Sequence, residues 1–544
     1  MRISRCVLCA IVLLLPSILF AVPSDVSFSQ SAPEIARFEF VEITAAVSAP
    51  DAGNPFLDAA LSGSLDSADG SRHWSVDGFC DSPDGAVFRI RLMAPLAGDY
   101  KYAVTYRQGS FTKSSSGTFH ASEAHKRGLV AVDPAYPWHF IWQGTGKHYF
   151  FNGTTAYWLV GFRDDHTIQY TVDRLHRLKV NRMRVTISGR EASTYFGEAV
   201  MSGEAWTPLI AAWKAQSPDD PLHPGFDYTR FNLPYWQKFD RMLHFARDRD
   251  MIISVVLDMG DSRVHPVAGG EDEHRFIRYA VNRFGAFSNI TWDLGDDLDS
   301  YRDEKWTHET GVLIQGLDPY KHLETSHPAS TNDHQDRTAS WFGFTSYQEW
   351  SRKQHELILA SRKLQEKTGR IIPQTNEEYG YEDHYPFWAA PDSDSADALR
   401  RTAWDIYMAG GYQTAGESAR RGTNIRPDLG GGWMNGRGDD TQTMFLGYGH
   451  IVDFFTSFDW WKTNPHDELV NNGAYCVADP GKTYALYLPH GGKVTIQLQS
   501  GRYRATWFSA VTGEKIELPP ADGPAWTSPE APNQYDWALL LQAM

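Results

Sequence analysis

Pro373-Gln-Thr-Asn-Glu377-Glu378-Tyr-Gly-Tyr381-Glu382 is the stretch on which the fold of this chain turns. An apolar, β-favouring run, Arg370-Ile-Ile-Pro-Gln-Thr, ends there on a carboxylate and a glycine turn begins. An upstream run has the same build: Asn289-Ile-Thr-Trp292-Asp-Leu-Gly295-Asp296-Asp297. Two strand ends that each deliver an acid, separated by helical connections, predict a carboxylate pair facing one pocket. Such a pair, one acid and one nucleophile or base, is what cleavage of a glycosidic bond requires.

Around these two runs the chain reads as strand then helix, repeated about eight times. Lys147 to Trp158 predicts a strand and loop, Val172 to Val180 a helix, and Asn181 to Ile187 a strand. Tyr235 to Arg249 reads as a helix, Met251 to Asp258 as a buried strand and Glu273 to Phe284 as a helix. Strands are expected at His322 to Pro328, Trp341 to Tyr347, Ile371 to Glu378 and Tyr412 to Ala415, with helices at Gln348 to Lys367, Ala396 to Met408 and Met444 to Phe458. This order fits a (β/α)8 barrel, a TIM barrel whose strands bring their C-terminal ends to one face. A doubly wound sheet would carry a glycine-rich phosphate loop after its first strand, and Asn152-Gly-Thr-Thr lacks that spacing.

The flanks read differently. From Ile35 to His120 short alternating runs such as Ala86-Val-Phe-Arg-Ile-Arg-Leu are separated by Gly, Ser, Asp and Asn, the pattern of a small β-sandwich; Ser114-Ser-Ser-Gly117 is expected to be a hairpin turn or exposed loop. After Pro465 the chain returns to strands, with turns at Pro489-His-Gly-Gly and Val511-Thr-Gly-Glu. The expected fold class is therefore multidomain: a signal peptide at 1–24, an N-terminal β-sandwich at 30–125, a central (β/α)8 barrel at 140–462 and a small C-terminal β-sandwich at 466–544.

Composition narrows the function. At 544 residues, 42% hydrophobic and 22% charged, the chain can bury several packed cores. Its net charge of −16 argues against non-specific nucleic-acid binding, which neutralises phosphates with Lys and Arg. The 19 Trp, 25 Tyr and 29 Phe fill cores for the most part and leave some rings as platforms for sugars. Arg2 and Arg5 before an apolar run from Val7 to Val22 predict an export signal, which makes the protein periplasmic or extracellular and leaves no stable membrane insertion once removed. Of the four Cys, Cys6 and Cys9 lie in that signal; Cys80 and Cys476 have no Cys or His partner at zinc spacing and are expected to be separate buried thiols.

With these residues in place, Trp292-Asp-Leu-Gly-Asp-Asp297, His327-Pro and Glu378-Tyr-Gly-Tyr-Glu382 resemble the apiosidase-like glycoside hydrolases, barrel enzymes related to the large clan of retaining (β/α)8 glycosidases. The N-terminal region resembles the β-sandwich domain of unknown function DUF5060, and the tail resembles a C-terminal β domain labelled collagen-binding. The resemblance implies an acid/base at the end of strand four, at Asp297, and a nucleophile at the end of strand seven, at Glu378. Asp296 competes for the first role, because the family often has Gly-Gly-Asp where this chain has Gly295-Asp296-Asp297.

Other residues are expected around the pair. Arg184, late in an early strand, would hold Glu378 ionised or form an ordinary barrel ion pair. His327 would contact substrate hydroxyls or the nucleophile, and Asp258 a sugar hydroxyl unless it caps a helix. Trp158 and Tyr381 are candidates for stacking or hydroxyl contact, with core packing the alternative for Trp158. Glu377 is expected to point away from Glu378, since side chains alternate along a strand. The acidic run Asp296, Asp297, Asp299 and Asp303 lacks the glycine and terminal Glu of a calcium loop, so neither metal nor cofactor is expected. The expected activity is an exported, retaining O-glycosyl hydrolase acting on a plant or algal polysaccharide or oligosaccharide. A carbohydrate-binding or adhesion protein on a degenerate barrel, and a polysaccharide lyase, are the competing readings. The sugar, the linkage and the oligomeric state are not encoded in any motif.

Overall fold

The computed structural model of the protein describes residues 23, 25–161, 164–188, 211–220, 223–260, 264–329, 335–382, 395–417 and 443–544. The predicted signal peptide, most of the Gly189–Gly225 insertion and the glycine-rich loop from Gly430 to Gly436 lie outside the described residues.

At the centre is an eight-stranded sheet. Its strands in chain order are β1 (Asn152–Thr155), β2 (Arg182–Thr186), β3 (Ile252–Val256), β4 (Ile290–Asp293), β5 (Glu324–Thr325), β6 (Tyr347–Gln348), β7 (Thr375–Glu378) and β8 (Tyr412–Thr414). They lie in the order β5-β4-β3-β2-β1-β8-β7-β6, every neighbouring pair parallel. At one edge β5 is joined by a parallel bridge between Glu324 and Phe342 to the segment that leads into β6 at the other edge, with the Gly343 N–H donating to the Glu324 carbonyl at 2.8 Å. The sheet thus curls round on itself into a barrel-like wall. Every residue of β2 and β3 is buried, as parallel strands covered on both faces must be.

Helices cover the outside: α1 (Asp165–Arg177), α2 (Leu233–Arg247), α3 (Glu271–Phe284), α4 (Glu304–Leu317), α5 (Gln354–Glu366), α6 (Ala396–Met408) and α7 (Met444–Phe455). Their starts follow from local chemistry. Asp164, Asp303 and Ser395 each accept a hydrogen bond from a first-turn N–H of α1, α4 and α6, using donors a helix start otherwise leaves unpaired. Asp303, the last member of the acidic run, is therefore a helix cap, and Asp299 accepts the Ala329 N–H. The sequence reading names no helix between the runs of β4 and β5, where α4 lies, and the strand-then-helix order fails between β5 and β6, whose connection carries no helix among the described residues.

Residues 25–122 form two sheets, ordered Asp25–Gln30, Phe40–Ser48, Val87–Met93, Phe79–Cys80 and Glu34–Ala36, Phe111–Ser122, Gly98–Gln108, Ala59–Ser67, His73–Asp77. They share an apolar core that includes Ile43, Leu65, Ile90 and Val104. The Ser114–Gly117 run, expected as a turn or loop, lies instead inside the 12-residue strand Phe111–Ser122. The turn is at Gly109, whose φ of +55° suits glycine, and it pairs the two long strands residue for residue.

Arg91 fastens this region to the barrel. Its guanidinium donates to both Asp240 oxygens of α2 at 2.9 Å, to the Arg283 carbonyl of α3 at 2.7 Å and to Glu42 at 3.0 Å. Arg283 in turn reaches Asp240 at 2.6 Å and Asp81 at 2.9 Å. At the other end, residues 464–543 build a six-stranded and a two-stranded sheet against α5 and α6. Arg400 of α6 pairs with the buried Asp536 at 2.7 and 2.9 Å, and Trp404 stacks on Tyr487 at 4.8 Å with the rings 3° from parallel. Cys80 and Cys476 are free and buried; burial pushes the Cys80 thiol up to about 12, so it stays protonated. No described helix is long and apolar enough to cross a membrane.

Candidate active site

Alternation along β2 puts Arg182 and Arg184 on the same, inward face of the barrel wall, one above the other. The lower one is sealed. Arg182 meets Glu377 at 2.9 Å, Thr291 at 2.9 Å and Ser254 at 2.8 Å, between the rings of Phe151 and Phe344. One cation faces one carboxylate, and hydroxyls take the remaining N–H groups.

Two residues on, Arg184 meets a different set. It donates from Nε to Asp293 at 3.1 Å, from Nη1 to the Tyr157 hydroxyl at 2.7 Å, and Nη2 lies 2.9 Å from Asp296 Oδ1. The Tyr157 hydroxyl is itself 2.9 Å from Asp296 Oδ1 and 2.8 Å from Glu378 Oε2. Gln348, at the end of β6, donates to the other Glu378 oxygen at 3.0 Å, and Tyr381 also hydrogen-bonds Glu378. His327, beyond β5, lies with Nε2 3.5 Å from Asp296 and Nδ1 3.0 Å from Ser346 Oγ. Tyr157, Asp293, Asp296, His327, Gln348 and Glu378 stand at or just past the C-terminal ends of β1, β4, β5, β6 and β7, the end at which barrel enzymes build their sites, and Arg184 reaches them from the middle of β2.

Three carboxyls, Asp293, Asp296 and Glu378, thus face one guanidinium in a water-poor layer. Glu378 is only 7% exposed and Asp296 5%. Burial, with the neighbouring Asp296 charge added, pushes the Glu378 carboxyl up to about 8; Arg184, Tyr157 and Tyr381 pull against this. Burial likewise raises Asp293, to about 7. Burial and the Arg184 charge hold the His327 imidazole well below its ordinary value, so it is neutral. Burial also opposes the Arg184 charge, but Tyr157, Asp293 and Asp296 outweigh it.

One ligand atom each of Asp296, His327 and Glu378 lies within 4.8 Å of the others, a spacing that would suit a cation. The guanidinium 2.9 Å from Asp296 already supplies positive charge there and would repel one. What the arrangement offers instead is two carboxyls of unequal surroundings across a short gap, the pairing that separates acid from base. A cavity of about 450 Å³ lies at the start of α4, lined by Leu298, Asp299, Arg302, Asp303, Ser326 and Pro328; neither Asp296, His327 nor Glu378 lines it.

The catalytic-domain model "Apiosidase-like, catalytic domain" matches residues 139–416, just over half of the chain. The chain belongs to the apiosidase-like family. Its catalytic domain is accordingly that of a glycoside hydrolase. A second model, the domain of unknown function DUF5060, matches residues 34–107. Among solved structures, a candidate glycoside hydrolase from Bacteroides vulgatus superposes with a TM-score of 0.73 over 94% of this chain and 100% of its own at 18% identity. A family 5 glycoside hydrolase from the same organism gives 0.60 over 77% and 94% at 16% identity, and a further glycoside hydrolase 0.59 over 77% and 97% at 14%. At such identities these likenesses show the fold. None of the curated proteins compared matches.

Within this apiosidase-like barrel the residues singled out from sequence part company. Glu378, Arg184, His327 and Tyr381 come together in one layer. The carboxyl of the β4 loop that contacts the bridging tyrosine belongs to Asp296; a short parallel bridge to Met259 and an N–H donated to the Asp258 carbonyl hold that residue in line. Asp297 follows at a left-handed turn with φ of +53°, half-buried, and starts a short 3-10 turn through Ser300. Arg184, expected either to hold Glu378 ionised or to form an ordinary barrel ion pair, pairs with Asp293 and Asp296 and meets Glu378 through Tyr157. Asp258 is drawn into a network with Arg302 at 2.8 Å and with the Met259 N–H, which Arg302 extends to Glu273. Trp158 is 1% exposed and sits in the hydrophobic core. Glu377 does point away from Glu378, to Arg182. Tyr157, Gln348 and Asp293 were missed. Asp293 sits four residues before Asp297 in the same motif, but nothing in the sequence marks Tyr157 beside the more conspicuous Trp158.

Proposed function

We propose that this apiosidase-like protein is an exported, retaining glycoside hydrolase on a (β/α)8 barrel flanked by two β-sandwiches, with Glu378 as nucleophile and Asp296, in the role expected for Asp297, as acid/base. The observation that carries the reading is the gap between them: an oxygen of each lies within 4.8 Å of the other. Retaining enzymes hold their carboxyls about 5–5.5 Å apart, whereas inverting enzymes leave about 6.5–9.5 Å for a water. Glu378 attacks the anomeric carbon as Asp296 protonates the departing oxygen, and Asp296 then activates the water that releases the sugar. Arg184 keeps the layer from carrying three uncompensated charges. The substrate class is a plant or algal polysaccharide or oligosaccharide; neutral His327 and the hydroxyl and amide groups around the pair are suited to sugar hydroxyls rather than to a charged group.

A panel of aryl glycosides and polysaccharides, with product anomers followed by proton NMR, tests this. The first-formed product should keep the anomeric configuration of the substrate, and Glu378→Ala with added azide should yield glycosyl azide of inverted configuration. Initial inversion by the parent protein would refute the mechanism, and a Glu378→Ala variant as active as the parent would refute the assignment. An unsaturated product absorbing in the ultraviolet would mark a lyase instead.

A further inference from the structure

Three partners crowd one hydroxyl. Tyr157 Oη receives an N–H from Arg184 at 2.7 Å and lies 2.8 Å from Glu378 Oε2 and 2.9 Å from Asp296 Oδ1. A phenol has one hydrogen to give and two lone pairs to receive with. Arg184 fills one lone pair and the hydrogen goes to one carboxylate. The remaining contact opposes two acceptors unless that carboxyl carries a proton of its own. The bridge is therefore satisfied with one proton on the pair, in either of two arrangements. In one, Glu378 is the acid: it donates to Tyr157, which donates to the Asp296 carboxylate. In the other, Asp296 donates to Tyr157, which donates to the Glu378 carboxylate.

We infer that Tyr157 is a positioning residue whose hydroxyl carries the proton from Glu378 to Asp296 and so sets the pair for reaction. This rests on the roles proposed above. In the step, the Glu378 O–H bond breaks as a bond to Tyr157 Oη forms, and the Tyr157 O–H bond breaks as a bond to Asp296 Oδ1 forms. Two protons shift, one is transferred in net, tyrosine ends neutral as it began, and no heavy atom needs to move. Glu378 is left as the carboxylate that attacks and Asp296 as the acid that donates. At rest the first arrangement is preferred, because Arg184 lies 2.9 Å from Asp296 and favours its charged form.

Among the described residues, no other group facing the pair offers this path. Gln348 donates to Glu378 but cannot pass a proton on. His327 Nε2 is 3.5 Å from Asp296 and its ring is neutral. Asp293 is joined to the layer through Arg184, and Glu377 lies below, paired with Arg182. Tyr381 touches Glu378, while burial keeps its phenol, like that of Tyr157, well above the ordinary range.

The test compares the parent with Tyr157→Phe and with Tyr157 replaced by 3-fluorotyrosine, which keeps the contacts and lowers the phenol pKa. Substrates with a poor leaving group need protonation by Asp296 and those with a dinitrophenyl group do not. The inference expects Tyr157→Phe to lose about 10–100-fold in kcat/KM on the former at every pH, to lose on the latter by an amount that falls to a few-fold as pH rises and Glu378 gives its proton to solvent, and 3-fluorotyrosine to move a limb of the pH–rate profile. Equal losses on both substrates with an unmoved profile would overturn it. The infrared band of the protonated Glu378 carboxyl, identified by its loss in Glu378→Gln, needs no substrate and should shift in Tyr157→Phe. If the parent hydrolyses no glycoside, the proposed function fails alone, and this band then decides the bridge: a band unmoved by Tyr157→Phe ends the inference.

Discussion

Arg182 and Arg184 stand two residues apart on one strand and face the same interior, yet they hold opposite kinds of layer. Below, Arg182 meets Glu377 and two hydroxyls and every charge is matched. Above, Arg184 meets Asp293 and Asp296, and Glu378 through Tyr157, so one cation is set against three carboxyls. Both layers are buried, and burial makes an unmatched charge costly. The lower layer avoids that cost by pairing. The upper layer avoids it by keeping protons, and a carboxyl that keeps a proton near neutral pH can later give it away. The same residue types thus make a structural joint in one layer and a reactive one in the next, and the ratio of carboxyls to guanidinium is what separates them.

The sharpest way to break this contrast is to truncate the adjacent glutamates in turn. Glu378→Ala should lower kcat/KM by about 10⁴–10⁶-fold while the fold melts within a few degrees of the parent. Glu377→Ala should do the reverse: Arg182 is left buried without a counter-charge, at about 3–5 kcal/mol, read as a lower denaturation midpoint. Should Glu377→Ala prove as stable as the parent, the two layers would not differ as described. Asp296→Ala should lower the rate on substrates with poor leaving groups by about 10²–10⁴-fold, the worth of a general acid.

Acid titration separates the layers more finely. The Glu378 carboxyl is raised from 4.5 to about 8 in the folded protein, so the folded state binds its proton more tightly than the unfolded chain does. The stability this contributes is complete below about pH 4.5 and is lost as pH rises toward 8. Glu378→Gln, which has no proton to lose, should therefore match the parent near pH 4 and exceed it by about 2–4 kcal/mol at pH 8 in chemical unfolding. A parent-to-variant difference that does not change with pH would show that Glu378 titrates alike in the folded and unfolded chain. The smallest effect is expected at Asp297→Asn, within about three-fold of the parent rate, since the residue lies at the turn beyond the pair and half-buried acids contribute little to chemistry they do not touch.

Much of this was written in local sequence. Helix α6 begins and ends where periodicity and the serine cap place it, at Ala396 and Met408. Glu378 was readable because an apolar strand, a carboxylate and a glycine turn follow one another within ten residues. Register at the neighbouring acids was not. Whether Asp296 or Asp297 faces Glu378 depends on the bridge to Met259 and the left-handed turn after it, both fixed by a strand some forty residues away. Tyr157 was illegible for a related reason: its role lies in three partners from β2, the β4 loop and β7, none of them near it in the chain. The serines at 114–116 misled because their composition speaks of turns, while pairing along a long hairpin keeps them extended.

Arg91 carries a last consequence. Its head group lies among Asp240, the Arg283 carbonyl and Glu42, so the N-terminal sheets supply a cation that two barrel helices need. A shortened gene beginning near residue 139 would leave Asp240 to Arg283 alone and bare the apolar flank that Phe40 shields at Phe287, 5.1 Å away. The boundary of the matched catalytic family is thus a poor guide to where this polypeptide can be cut: the smallest autonomous piece has to include the preceding sheets, and grafting this barrel onto another scaffold would mean bringing that arginine along.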